Sequence, residues 1–159
     1  MSDTAKTLKD ALDGMTFAMV GTEDKSGPGP IWKSRPLTTA DAADDTLHFL
    51  VSAETDWVQA LETSGSPTTV TYSDPGKNTY VALQGTATTT DDKTLINEVW
   101  SAPNGAWFDG KDDPNIRVLQ VAVESGEFWD SAGGKIGGLV TVIKAAAGGD
   151  GGDRGPVLT

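Results

Sequence analysis

Arg35, one of three arginines in a chain of 159 residues, leads directly into Pro36 and Leu37. Its guanidinium is a rigid fork of donors that suits a phosphate, or the polar edge of a planar ring, better than a lysine does. The competing use is a surface ion pair in an acidic chain. Ser52 and Thr55 precede a short amphipathic segment that opens at Asp56, which gathers hydroxyls and the unpaired N–H groups of a helix start at one spot. Such a spot binds phosphate, and it is also what ordinary N-capping by Thr55 would produce. Trp107 and Phe108, in a loop rich in Pro and Gly, and Trp129 offer flat apolar surface, although a tryptophan is more often a core residue. Lys77 lies in the turn Asp74-Pro-Gly-Lys-Asn78, where a lysine is ordinarily solvated.

Other chemistries are excluded or weak. The absence of Cys removes thiol catalysis, disulfides and cysteine-ligated metals. The single His48 removes multi-histidine metal centres, and its setting, Leu47-His-Phe-Leu50, is that of a structural strand histidine with no nucleophile elbow nearby. The pairs Asp44-Asp45, Asp91-Asp92 and Asp112-Asp113 fall in loops or at helix starts and read as solvated charge. Gly148-Gly-Asp-Gly-Gly-Asp153 lacks a repeated calcium motif and reads as linker. With 12 basic against 23 acidic residues the net charge is −11, so nucleic acid is not an expected partner. No apolar run approaches the ~20 residues that span a bilayer, and MSDTAKTLKDALDG is too polar for a signal peptide. The expectation is a soluble, cytoplasmic protein without a membrane partner.

The elements that must position these residues follow from periodicity and turn chemistry. Ala5, Leu8 and Leu12 give a helix over Thr4–Leu12, ended by Gly14. Strands are predicted at Met15–Thr22, Ile31–Leu37, Thr46–Val51, Thr68–Tyr72, Thr79–Thr90 and Arg117–Glu124, with a further extended piece at Glu127–Asp130. Glu23–Pro30 and Asp74–Asn78 read as turns, Thr39–Asp45 as an acidic loop, Ser64–Pro67 as a helix stop and Pro103–Pro114 as irregular. Short helices are expected at Asp56–Leu61 and from Asp91 to Trp100, the latter with Leu95, Ile96 and Val99 inward. Pro36 has no N–H for a central ladder, which places it at an edge, a strand end or a bulge; Gly85 allows a bulge in the longest strand. Residues 1–144 form one domain and 145–159 a flexible Gly/Asp-rich tail that buries too little to offset its ordering entropy. Six strands with few and short helices favour an antiparallel barrel over parallel winding.

Five stretches, in their order and spacing, carry a resemblance: Ser34-Arg-Pro-Leu37, Phe49-Leu-Val-Ser-Ala-Glu-Thr-Asp-Trp57, Tyr72-Ser-Asp-Pro-Gly-Lys-Asn78, Ala106-Trp-Phe108 and Glu127-Phe-Trp-Asp130. From about Met15 to Lys135 the chain resembles the FMN-binding split-barrel flavoproteins, in the pyridoxamine 5′-phosphate oxidase-like branch of general stress proteins. The resemblance implies a mainly β fold, a six-stranded antiparallel split barrel, that pairs as a homodimer with FMN, or FAD or another flavin, at or near the subunit interface. It implies cofactor-binding roles for Arg35, Pro36, Leu37, Val51, Ser52, Thr55, Asp56, Trp57, Lys77, Trp107, Phe108 and Trp129. Pro36 and Leu37 then form the strand edge that faces the ring.

Relatives usually carry a basic residue where this chain has Trp57 and a hydroxyl residue where it has Val51. Losing the cation removes a contact worth about 1.5–3 kcal/mol, so the expectation is weakened FMN binding or a replaced ligand. Three functions stay open: a flavin-dependent oxidoreductase of a small molecule with a nicotinamide or deazaflavin donor, a non-enzymatic flavin-binding or flavin-buffering stress protein, and an apo barrel serving as a dimeric scaffold. No catalytic acid or base is nominated. Pyridoxamine phosphate oxidation itself is not expected, because its anionic substrate needs a further basic cluster and only Arg117 and Lys135 remain for one.

Overall fold

Short turns and two-residue alternation organise the longer elements among the described residues into six strands and two helices. These are β1 (Phe17–Asp24), β2 (Ile31–Ala42), β3 (Thr46–Ser52), α1 (Asp56–Thr63), β4 (Ser66–Asp74), β5 (Thr79–Thr90), α2 (Lys93–Val99) and β6 (Ile116–Asp130). They are seen in a computed structural model that describes residues 8, 12, 14–43, 45–100 and 108–130. The strands close as an antiparallel barrel in the order β1-β2-β3-β6-β5-β4, as the six-stranded expectation required. The Gly/Asp-rich tail, most of the Thr4–Leu12 helix and Trp107 lie outside the described residues.

Every second residue of the strands fills the barrel. Val20, Leu47, Phe49, Val70, Tyr72, Val81, Leu83, Ala87, Leu119, Val121 and Val123 form one buried cluster, joined by Leu8, Leu12, and Val58 and Leu61 of α1. The opposite face of β6 carries Val118, which packs with Ile116 and with Ile96 and Val99 of α2 in a second cluster outside the barrel. Asp92 caps α2 by accepting from the Thr94 amide at 2.9 Å. His48 points away from the barrel interior, and its Nδ1 lies 3.2 Å from Asp41 Oδ2 on the neighbouring strand, in keeping with a structural role.

Several predicted boundaries move because pairing overrides composition. Thr39–Asp45 is not a loop: β2 continues to Ala42, pairing Thr39 with Phe49 and Asp41 with His48 across a register shift. Ser66 and Pro67 belong to β4. Pro67 pairs with Thr86 of β5, while the β1 ladder reaches only Thr68, so the proline stands where one edge is unpaired. The two predicted pieces Arg117–Glu124 and Glu127–Asp130 are one strand, β6. The join is a bulge: Gln84 opposes Ser125 and Gly85 opposes Val123, which leaves Glu124 extra. Gly85 is required there, since a Cβ would collide with the Ala122 carbonyl oxygen.

The feature that shapes the site is the split along β2. Residues Ile31–Thr38 pair with β1, whereas β3 pairs only with Thr39, Asp41 and Ala42. Over 31–38 one edge of β2 therefore has no strand beside it among the described residues, and Pro36 sits in that stretch, opposite Met19. Among the described residues, Phe17, Met19, Ile31 and Trp32 on these two strands are the exposed large apolar side chains. Among the described residues no helix is long and apolar enough to cross a membrane.

Candidate functional site

The site grows from the end of β3. Its alternation sends Val51 into the barrel and Leu50 to the outer cluster, so the strand end touches both. After Ser52 the backbone turns sharply and spends its donors at once. The amide of Ala53 donates to Asn115 O at 2.8 Å and that of Thr55 to Ser52 O at 3.2 Å, while the Glu54 amide donates to Ser52 Oγ at 3.1 Å. α1 then begins. Thr55 occupies the N-cap position but does not cap with its side chain; its hydroxyl reaches back to donate to Ser52 O at 2.8 Å. The expected N-cap thus has the position without the bond.

Leu37 of β2, Leu50, Val51 and Ser52 of β3, Thr55, Trp57 of α1 and Phe108 line a cavity of about 180 Å³. Phe108 is held from behind by Trp100, ring centroids 6.5 Å apart and planes tilted by 52°. Six of the sequence-nominated residues are among these seven. Leu50 was missed; the signal was available in the strict alternation of β3, which turns it toward the same outer face as α2.

Arg35 does not open into the cavity. Its Nη1 donates to Thr22 Oγ1 at 3.0 Å and to Val20 O at 3.2 Å, and its guanidinium carbon lies 4.1 Å from the centroid of a Trp57 ring. Burial pulls its pKa below the ordinary guanidinium value. The cation is held between β1 and Trp57 as a cation–π pair, and it positions the indole that walls the cavity. Pro36 is exposed beside Leu37, and Asp56 is exposed at the first turn of α1. Lys77 is exposed in the 3₁₀ turn Pro75–Lys77, and Trp129 is half-buried in β6 opposite Tyr80; neither lines the cavity. Arg117, considered for a second anion, is committed to Glu62, Nε to Oε2 at 2.6 Å.

Tested against a flavin, the group the resemblance implies, the two ends of the site differ. An isoalloxazine ring is flat and largely apolar, and Leu37, Leu50, Val51, Trp57 and Phe108 are the walls it needs. A phosphate dianion needs cations or unspent donors. Among the described residues no charged side chain lines the cavity, and the Thr55 hydroxyl hydrogen is already given to Ser52 O, which leaves the first amides of α1 uncapped. The walls suit the ring, and the uncapped first turn of α1 is the donor group that could meet a phosphate.

Comparison with known proteins agrees with the fold. The profile of the family described as pyridoxamine 5′-phosphate oxidase like matches residues 3–153. General stress protein 26 of Bacillus subtilis is 40% identical over 45 residues, 28% of this chain and 32% of that protein's length. A candidate general stress protein 26 from Jannaschia sp. CCS1, of known structure, is 28% identical with a TM-score of 0.65, covering 79% of this chain and 76% of that one. The general stress FMN/FAD binding protein of Xanthomonas citri shares the fold, with a TM-score of 0.66 at 22% identity over 81% of this chain and 89% of its own.

Proposed function

The chain belongs to the pyridoxamine 5′-phosphate oxidase-like family, and on that footing we propose that it binds a flavin, FMN or FAD, and works as a flavin-dependent oxidoreductase on a small organic molecule in the cytoplasm. The observation that carries this reading is the cavity at the β3–α1 junction, with an indole and a phenyl ring facing aliphatic side chains. A structural neighbour that is an FMN/FAD binding protein supports the same ligand class. When bound, the flavin supplies the electron and hydride chemistry. The residues of this chain orient the ring: Leu37, Leu50 and Val51 exclude water from it, and Arg35 fixes the indole of Trp57. A specific observation favours flavin binding without turnover as the second reading: among the described residues, no side chain that lines the cavity titrates near neutral pH.

The cavity's volume of about 180 Å³ is below the roughly 300 Å³ at which small-molecule sites begin. We therefore include a second copy of the chain in the proposal, paired as a homodimer to complete the wall. The exposed apolar side chains of β1 and β2 support self-association.

Fluorescence-quenching titration with FMN and FAD, followed by anaerobic mixing with reduced nicotinamide or deazaflavin donors, tests the reading, with light scattering for the dimer. Saturable quenching and bleaching of the bound flavin are expected. Absence of quenching by either flavin overturns the binding reading, and saturable binding without bleaching by any donor selects the second one.

A further inference from the structure

We propose that Trp100, which does not itself line the cavity, is the positioning residue for the cavity's outer wall, and that it couples a bound flavin to the docking of α2. The inference rests on the flavin reading above and adds to it the side chain that sets the width of the site.

The cavity lies on a seam between two separately packed clusters. Of its apolar walls, Val51 belongs to the barrel core, and Leu37 and Trp57 pack against that core. Leu50 and Phe108 pack instead against the outer cluster of Ile96, Val99, Ile116 and Val118. The inner wall is fixed by the β3–β6 ladder, in which Val51 opposes Arg117, and by the Arg35 guanidinium on the face of Trp57. Phe108 precedes β6 and stands outside its ladder. Its backbone is nevertheless anchored. The Asp113 carboxylate accepts from the amides of Asp109 at 3.1 Å and Asn115 at 2.9 Å, and the Ala53 amide donates to Asn115 O at 2.8 Å, which ties this turn to the end of β3. The adjustable part of the outer wall is therefore the Phe108 ring. The ring set against it is that of Trp100, with centroids 6.5 Å apart and planes tilted by 52°, inside the range in which aromatic pairs attract.

Trp100 follows directly on α2, whose seven residues are well short of the ~12–15 that an isolated helix needs in water. What keeps α2 in place is the burial of Ile96 and Val99 with Ile116 and Val118. A flavin ring against Phe108 adds contacts to that side chain, Phe108 holds Trp100, and Trp100 continues the backbone of α2. Binding at the seam is thus shared between a barrel that is closed by its own ladders and a short helix that is not. A ligand that binds best with Phe108 docked stabilises the docked state, so local openings of α2 become rarer when the cavity is filled. The same coupling runs backwards: loosening Trp100 weakens the ligand.

The test joins amide hydrogen exchange of the full chain, with and without saturating FMN or FAD, to flavin-fluorescence titrations of the natural chain, Trp100→Ala and Trp100→Phe. In the natural chain the flavin should slow exchange at the amides of residues 96–99 as well as at the β3–α1 turn. Trp100→Ala should raise the dissociation constant by roughly three- to tenfold, the fold-change that corresponds to one aromatic pair, and abolish the slowing in α2. Trp100→Phe keeps a ring against Phe108 and should stay within about twofold of the natural chain. A tryptophan that is merely structural would lower the urea midpoint and leave the flavin-induced slowing of α2 in place, which overturns the inference. Saturable binding to the natural chain with α2 exchange unmoved also overturns it and leaves the flavin reading standing, whether or not Trp100→Ala folds. So does a folded Trp100→Ala protein that binds as tightly as the natural chain. Absence of binding by both flavins removes the flavin reading itself, and this inference with it.

Discussion

The two sides of the barrel use one alternation for different ends. On the closed side, β6 is paired along both edges, with β3 over Ile116–Ala122 and with β5 over Val118–Asp130. Its inward residues Leu119, Val121 and Val123 meet Phe49, Leu47 and Leu83 in the core. On the split side, β2 has β1 on one edge and, among the described residues, no strand on the other from Ile31 to Thr38. Its inward-phase residues Lys33, Arg35 and Leu37 lie in that half-paired stretch. Arg35 turns to Trp57, and Leu37 becomes a wall of the cavity. An unpaired edge converts core positions into site positions, so stability resides mainly on one side and recognition on the other.

The strongest way to break that division is to exchange apolar losses across it. Phe49→Ala, at a fully buried position, should cost about 3–5 kcal/mol by urea unfolding. Phe17→Ala, at a position 72% exposed, should stay within about 0.5 kcal/mol. Comparable losses at the two positions would mean that the β1–β2 face is covered in solution, and the contrast would have to be redrawn around the pairing of two chains.

Next in size is Gly85→Ala. The added methyl runs into the backbone oxygen of Ala122, and backbone cannot swing aside as a side-chain tip can. The cost should be about 1–3 kcal/mol or more, read as a lowered urea midpoint. An unchanged midpoint would show that the β5–β6 bulge yields easily and that the closed side is less rigid than its pairing implies.

These regions also differ in how far they could be read from residues alone. On the closed side β3, β5 and the first half of β6 show clean alternation, and Gly85 marks its bulge by being the one residue without a Cβ to clash. The end of β2 was hidden because Thr39-Ala-Asp-Ala-Ala-Asp-Asp45 has a loop's composition, and only the partner strand makes it extended. The continuity of β6 was hidden by Ser125 and Gly126, which look like a turn until β5 pairs across them. In the site, Ser52, Thr55 and Phe108 were nominated by residue type and position and Leu37, Val51 and Trp57 by the resemblance, and the six converge on one cavity. Their convergence needs the barrel, as does the placing of Arg35 behind Trp57: no spacing along the chain says that a guanidinium on β2 meets a ring on α1. Leu50 is the reverse case, legible from strand phase but carried by no motif.

The smallest expected effect lies where the two sides are tied together. Tyr72, inside β4 and almost fully buried, reaches Thr39 of β2, hydroxyl to hydroxyl at 2.7 Å, at the residue where β2 first gains β3 as a partner. Tyr72→Phe keeps the ring and removes that bond, so it should cost about 0.5–1.5 kcal/mol near neutral pH. Its alkaline signature is more specific. Burial pushes the phenol from its ordinary 10 up to about 12, so between these values the folded chain keeps a proton that the unfolded chain gives up. Stability falls with pH wherever the folded state binds more protons. The contribution is therefore intact below pH 10 and is lost progressively as pH climbs toward 12. Urea midpoints for the natural chain and Tyr72→Phe should differ most at neutral pH, and the natural chain should decline more steeply above pH 10. Parallel curves through that range would show that the Tyr72 hydroxyl is already open to solvent, and with it the seam between the closed and split sides.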